Sequence, residues 1–414
     1  MKNNIEVNEK KIVKNTSMLY LLNIAKIVFP LITLPYLTRV LSVETYGMVA
    51  YVKAFMQYMQ LVVDFGFLLS GTKDIALALG DQQKINHEVG DIFIARILLC
   101  VVAFIALMIA ALFIPILGQN LLYTILSYGS VFLTVFLMDF YFRGIERMEI
   151  ITIRFVVMRG VAALLTFVFV KSDADILWIP ILSIVGSLMA IILVWFQLRK
   201  LNVKISPQGL IPALRKLKES FVYFASNMAT TAFNALNTLL IGIFLDPTSV
   251  AYWSICIQMI GAVQAFYTPI AGGIYPQMVR TKKRSLLQKI IKIFIPIILS
   301  GCVITLVFAK YVLLIVAGEK YVEAVNVLRI LTPVMLFSFP AILYGWPALG
   351  AINKQKQTSA TTIISAVFQV SVLVILIAFG NFNLISIAIV RSLTEIMLFA
   401  TRFSVYWKNR QEFA

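Results

Sequence analysis

The sequence predicts an all-α integral membrane protein of about twelve transmembrane helices, arranged as two six-helix lobes of parallel pseudo-repeats around a central cavity. Three observations carry this prediction. Of 414 residues, 60% are hydrophobic and only 13% charged. A soluble domain carries about 45–50% apolar and about 25% charged residues, so this chain has too little polar surface to cover itself in water. Apolar runs of about 20 residues, the length that crosses a bilayer, recur twelve times. Within them apolar and polar residues do not alternate, which excludes an outer-membrane barrel.

Taken in order, the first six spans fall at 17–40, 45–70, 92–117, 121–142, 150–170 and 176–198. The second six fall at 221–245, 250–279, 290–316, 324–351, 358–379 and 384–407. The polar segment ahead of the first span lacks the short apolar core and small-residue cleavage site of a removable signal peptide, so the first helix is expected to stay as an anchor. Between the last two spans, Gly380-Asn381-Phe382-Asn383 supplies turn residues. The longest connection, 199–219, is basic and contains Pro207, Gly209 and Pro212. It reads as a cytoplasmic linker between an N-terminal lobe, 1–198, and a C-terminal lobe, 220–414. Shifting the chain by 204 residues places Asn23 on Asn227, Phe29 on Phe233, Leu41 on Leu245 and Gln60 on Gln264. Six is even, so both halves enter from the same side, as in parallel-repeat transporters, whose site lies between the lobes.

The formal charge is +17, from 36 Lys and Arg against 19 Asp and Glu. Nucleic acid is not the expected partner, because the basic residues lie in short blocks between apolar runs rather than on one patch. Twenty-six of them fall on the side of the N-terminus, and Lys171, Lys310 and Lys320 on the other. The positive-inside bias therefore places both termini in the cytoplasm. Cys100, Cys256 and Cys302 lie inside apolar stretches without paired spacing, and His87 is the only histidine. Disulfides, metal sites and histidine-based hydrolysis are not expected, and no cofactor is implied.

Seven basic residues remain inside the spans: Lys26, Arg39, Lys53, Arg96, Arg159, Arg329 and Arg391. Each costs about 2.5–3.5 kcal/mol at a lipid-facing helix centre, so each must snorkel, pair or meet water. Arg39, Arg96 and Arg329 stand near helix ends and are expected to snorkel. Lys26, Lys53, Arg159 and Arg391 lie deeper, where either a cavity-facing role or a structural pairing fits. Lys53, Gln57, Gln60 and Asp64 step by 4, 3 and 4 and share one helix face. The seventh span carries Asn227, Thr230, Asn234 and Asn237 on one stripe, more than interhelical hydrogen bonding ordinarily requires. These ten basic and amide or hydroxyl residues are the candidate substrate contacts. Asp64 and Glu395 are the candidate ion-coupling carboxylates, although Glu395, four residues after Arg391, is also spaced for a salt bridge. A hydrated cationic cavity suits phosphate or pyrophosphate.

The run LNIAKIVFPLITLPYLTRVLSVETYG from Leu22, DFGF from Asp64 with TKDIA from Thr72, and FRGIERM from Phe142 are similar to the Wzx-type O-antigen flippases. SNMATTAFNALNTLLIG from Ser226 and PIAGGIYPQM from Pro269 extend the similarity over nearly the whole chain. That family belongs to the multidrug/oligosaccharidyl-lipid/polysaccharide exporter superfamily. The chain departs from it at Phe142-Arg143, where an aromatic-Gln pair is common, and at Ala251, where Gly is common. The resemblance implies a bacterial inner-membrane protein that moves undecaprenyl-pyrophosphate-linked repeat units between leaflets, driven by a proton or sodium gradient. It also implies contact with membrane lipid, and an O-antigen polymerase and chain-length regulator as partners. Two alternatives stand beside it. A multidrug cation extruder would want a carboxylate-rich cavity, and a polymerase or ligase enzyme would want a sizeable periplasmic loop.

Overall fold

A computed structural model describes the backbone of residues 2–413, and the side chains of all of these except 2–13, 226 and 229–234. The described residues are helical or in turns, with no strand among them. The first ten helices are α1 (Lys2–Val40), α2 (Val43–Asp64), α3 (Phe67–Leu77), α4 (Gln82–Phe113), α5 (Pro115–Gln119), α6 (Leu121–Leu133), α7 (Asp139–Gly144), α8 (Met148–Phe169), α9 (Trp178–Lys200) and α10 (Leu210–Phe244). They are followed by α11 (Pro247–Gln264), α12 (Tyr267–Thr281), α13 (Arg284–Val316), α14 (Val325–Leu343), α15 (Gln355–Ala378) and α16 (Leu384–Lys408). Among the described residues, 11 helical stretches are long and apolar enough to cross a membrane. The remaining expected span, 221–245, lies within α10, several of whose side chains are outside the described residues.

Local chemistry fixes the helix starts. Ser42 accepts from the Thr45 amide at 3.2 Å, Asp81 from Lys84 at 3.0 Å and Asp246 from Ser249 at 2.8 Å, each satisfying an amide that has no partner inside its own helix. Pro247 follows at the first position of α11, where a missing N–H costs nothing.

Several spans that read as single rods are broken. Between α2 and α3 the chain turns through left-handed conformations at Phe65 (φ 40°) and Gly66 (φ 80°). The rod from α6 passes through a 3-10 turn and a left-handed Met138 (φ 50°) before α7. A two-residue connection, Ala265-Phe266, separates α11 from α12. The end of α14 widens into a π-helical turn, Tyr344–Leu349, where Gly345 leaves helical geometry at ψ −114°.

The chain forms two compact units, Met1–Thr45 with Tyr51–Thr231, and Tyr46–Ala50 with Ala232–Ala414. The first is centred on Ile75, Val89, Ile92, Met138, Phe142 and Val194, all almost fully buried. In it, the segment before α10 is bound to the start of α4. Asn86 Oδ1 accepts from the Lys204 amide at 2.9 Å, Asp91 Oδ1 from the Gln208 amide at 2.8 Å, and His87 Nδ1 donates to the Ser206 carbonyl at 2.9 Å. The chain enters α10 at Leu210, so the second half of 199–219 is helical. Pro212 lies in the first turn of that helix, where proline is tolerated. The second unit is built around α14, which buries Leu328, Leu331, Val334 and Phe339. Its flanking α13 turns Ile297, Val303, Ile304 and Val307 outward, as a helix bathed in lipid does.

Candidate functional site

In the first unit α2 has two faces. Val52, Met56, Met59 and Val63 are buried, and the adjacent stripe of Lys53, Gln57, Gln60 and Asp64 is exposed or half-buried. The one-residue offset between the two sets is what a 3.6-residue period produces. Lys26 on α1 and Arg159 on α8 lie near one aromatic ring. Lys26 Nζ is 5.9 Å and the Arg159 guanidinium carbon 6.0 Å from the centre of Phe155, a cation–π arrangement that gathers two like charges on one ring. The Arg159 charge also acts on Lys53. Thr152 on α8 donates to the Met18 carbonyl of α1 at 2.9 Å, which ties these two helices together.

Beside the cations lie two ion pairs. Asp64 Oδ1 accepts from Arg96 Nη2 at 2.8 Å, and Arg96 also donates to the carbonyls of Val63 at 3.4 Å and Val135 at 3.5 Å. Asp139 pairs with Arg154 through both of its oxygens. The two pairs sense each other electrostatically, and Lys26 senses Asp139 and Arg154. Gln60 exchanges hydrogen bonds with Thr134, at 3.0 Å as donor and 3.3 Å as acceptor. Each carboxylate therefore neutralises one arginine. Lys26, Lys53 and Arg159 form no ion pair among the described residues. These three cations are exposed and, among the described residues, without a counter-charge, and charge within a membrane-length helix is tolerated only beside water or an anion.

The other candidates are divided between the units, with Asn234, Asn237, Arg391 and Glu395 in the second. Asn227, assigned to the first unit, is half-buried. Asn237 is 1% exposed and accepts from Gln369 Nε2 at 3.2 Å, so it serves as a packed interhelical hydrogen bond. The side chains of Thr230 and Asn234 lie outside the described residues. Arg391 and Glu395, 6% and 4% exposed, pair at 2.7 Å within α16. Of the two roles open to Arg391, the geometry carries the structural pairing.

Arg96 does not snorkel: it is 5% exposed and bound to Asp64, because a guanidinium facing the helix bundle finds a carboxylate nearer than the interface. Three basic residues counted with the cytoplasmic loops are also held within the protein. Arg154 is 4% exposed against Asp139. Arg402 donates to the Ala341 carbonyl at 2.7 Å and to Thr362 Oγ1 at 2.9 Å beside the π-helical turn. Lys216 Nζ, at the base of α10, sits 2.8 Å from Asp74 and 2.6 Å from Glu88. Burial lowers the proton affinity of that ammonium, but its hydrogen bonds to Asp74 and Glu88 and their negative charge outweigh this and hold its pKa above the ordinary lysine value. Asp139 and Arg154 are separated by 15 residues and Lys216 from Asp74 by 142, so no helical periodicity brings them together in the sequence.

Eleven membrane-length helical stretches among the described residues define a multi-pass membrane protein, the class to which exporters belong. Residues 12–282 match the family described as polysaccharide biosynthesis protein, and the chain belongs to that family. It is 26% identical over 374 residues to a protein of Escherichia coli strain K12 named "Putative O-antigen transporter", spanning 87% of this chain and 88% of that one. A Shigella dysenteriae protein of the same name is 28% identical over 271 residues, 64% of this chain and 67% of that one. The fold is shared with two solved structures. The lipid II flippase MurJ in an inward closed conformation matches with a TM-score of 0.69 at 13% identity, over 95% of this chain and 87% of that one. An inward-facing multidrug resistance MATE transporter of the MOP superfamily matches with a TM-score of 0.67 at 15% identity, over 94% and 96%.

Proposed function

We propose that the protein moves undecaprenyl-pyrophosphate-linked O-antigen repeat units from the cytoplasmic to the periplasmic leaflet of the inner membrane by alternating access, in lipopolysaccharide biosynthesis. The observation that carries this is the uncompensated group Lys26, Lys53 and Arg159. A pyrophosphate is a compact multiple anion, and ammonium and guanidinium donors bind it with charge-assisted hydrogen bonds. The amides of Gln57 and Gln60 continue the same stripe toward Asp64 and suit hydroxyl-rich sugar. Asp64, its side chain 44% exposed although bound to Arg96, is the proposed ion-coupling group: protonation or sodium binding would weaken its hold on Arg96. A multidrug cation extruder fits less well, since the accessible charge here is positive.

Substitution of Lys26 and Lys53 together by Ala should abolish O-antigen display in a host lacking its own transporter, with protein abundance unchanged. Full display in that double variant would remove the cationic site from the mechanism. Liposomes holding labelled lipid-linked repeat units give the direct test. Movement between leaflets should follow an imposed proton or sodium gradient, and Asp64→Asn should lose that gradient dependence. No movement under any gradient would favour a polymerase or ligase role.

A further inference from the structure

Within the second unit an apolar cavity of about 250 Å³ lies among α13, α14 and α16, lined by Ile291, Ile295, Leu336, Phe337, Tyr344 and Phe399. Tyr344 continues it along α16. Its ring is 5.2 Å from Phe403 and 4.7 Å from Tyr406, and Phe403 is 5.9 Å from Trp407. At that end two guanidiniums flank one indole, Arg284 at 5.7 Å and Arg410 at 4.4 Å from the Trp407 ring centre. Neither arginine forms an ion pair among the described residues, and Arg284 Nε is buried without a hydrogen-bond partner there. The neighbouring carboxylate, Glu412, is engaged by Lys354 at 3.3 Å. Arg284 precedes Ile291 by seven residues on the same helix, and at about 1.5 Å per residue the two charges stand roughly 10 Å along the axis from the cavity.

We propose that this groove seats an anionic membrane phospholipid, with one hydrocarbon chain against Ile295 and Phe399 and its phosphodiester between Arg284 and Arg410. The arrangement matches that occupant in both parts. A lipid-facing apolar slot ends at a tryptophan, the residue that marks the membrane interface. Two charges without a counter-charge among the described residues stand beside that tryptophan, and basic pockets between membrane helices bind acidic lipid heads. The site is separate from the cation group of the first unit and does not depend on the transport reading.

Native mass spectrometry of the purified full chain in detergent tests it, with dioleoyl phosphatidylglycerol and dioleoyl phosphatidylcholine as probes. Phosphatidylglycerol adducts should exceed phosphatidylcholine adducts by at least about fivefold, the factor that one arginine near a lipid headgroup supplies. The variant R284Q/R410Q should bring the ratio near one, whereas R284K/R410K, which keeps the charge, should keep the preference. Ile295→Trp, which fills the slot, should lower binding of both lipids. A ratio near one in the native chain, or an unchanged ratio in R284Q/R410Q, would overturn the proposal. So would complete displacement of phosphatidylglycerol by equimolar undecaprenyl phosphate, which would assign the groove to an isoprenoid chain.

Discussion

Removing the Asp139 carboxylate leaves the Arg154 guanidinium, 4% exposed, without a counter-charge. Breaking one side of a buried ion pair costs about 3–5 kcal/mol, because the abandoned charge stays desolvated. Asp139 keeps a side chain 32% exposed, so the lower end of that range applies. Asp139→Ala should reduce the fraction of protein that stays monodisperse after heating in detergent, and Asp139→Ala/Arg154→Met should recover much of the loss. Lys216 behaves differently with pH. Its folded pKa is raised, so its contribution is fully present below the ordinary lysine value of about 10.4 and is lost only as pH rises through the higher folded value. Thermal stability should therefore show no Lys216-dependent change between pH 6 and 9. Lys216→Met, which leaves Asp74 and Glu88 facing each other, should lower stability at every pH in that interval.

The breaks between helices position these residues as much as the helices do. Asp64 is the last residue of α2 because Phe65 and Gly66 take left-handed conformations, and Gly66 lies where a Cβ would come within 2.6 Å of Tyr223 Cβ and 2.9 Å of the Phe224 amide nitrogen. Gly66→Ala therefore meets both backbone strain and a collision, whereas Gly80→Ala, at φ +97° with nothing within 4 Å, meets strain alone. Strain of this kind costs about 1–3 kcal/mol. The thermal midpoint should drop further for Gly66→Ala than for Gly80→Ala, and equal drops would show that α10 yields at Tyr223. The helices themselves were legible in the sequence, because hydropathy summed over 20 residues needs no tertiary information. The break at Met138 was not, since it is an apolar residue in an apolar run. Arg391 with Glu395 was legible from its four-residue spacing. Asp64 with Arg96, 32 residues apart, required α2 and α4 to be packed first.

At the scale of the whole molecule the positive charge divides by use. Of the twenty-six basic residues that the sequence assigns to one side of the membrane, Arg154, Lys216 and Arg402 are bound inside the protein, and against the rest stand Lys171, Lys310 and Lys320. That asymmetry is large enough to fix orientation after the three are removed, because the rule counts lysine and arginine near the helix ends. The expected topology has the C-terminus in the cytoplasm and the uncharged turn 380–383, with its left-handed Gly380 (φ 68°), on the opposite face. Alkaline phosphatase inserted at Asn381 should be active, since the enzyme requires an oxidising compartment, and a fluorescent protein fused after residue 414 should be bright. Inactive phosphatase with a dark fusion would invert the topology. Under the proposed function, the leaflet from which Lys26, Lys53 and Arg159 would first meet the substrate would then be reversed as well, so an inverted topology would overturn the proposed direction of transport.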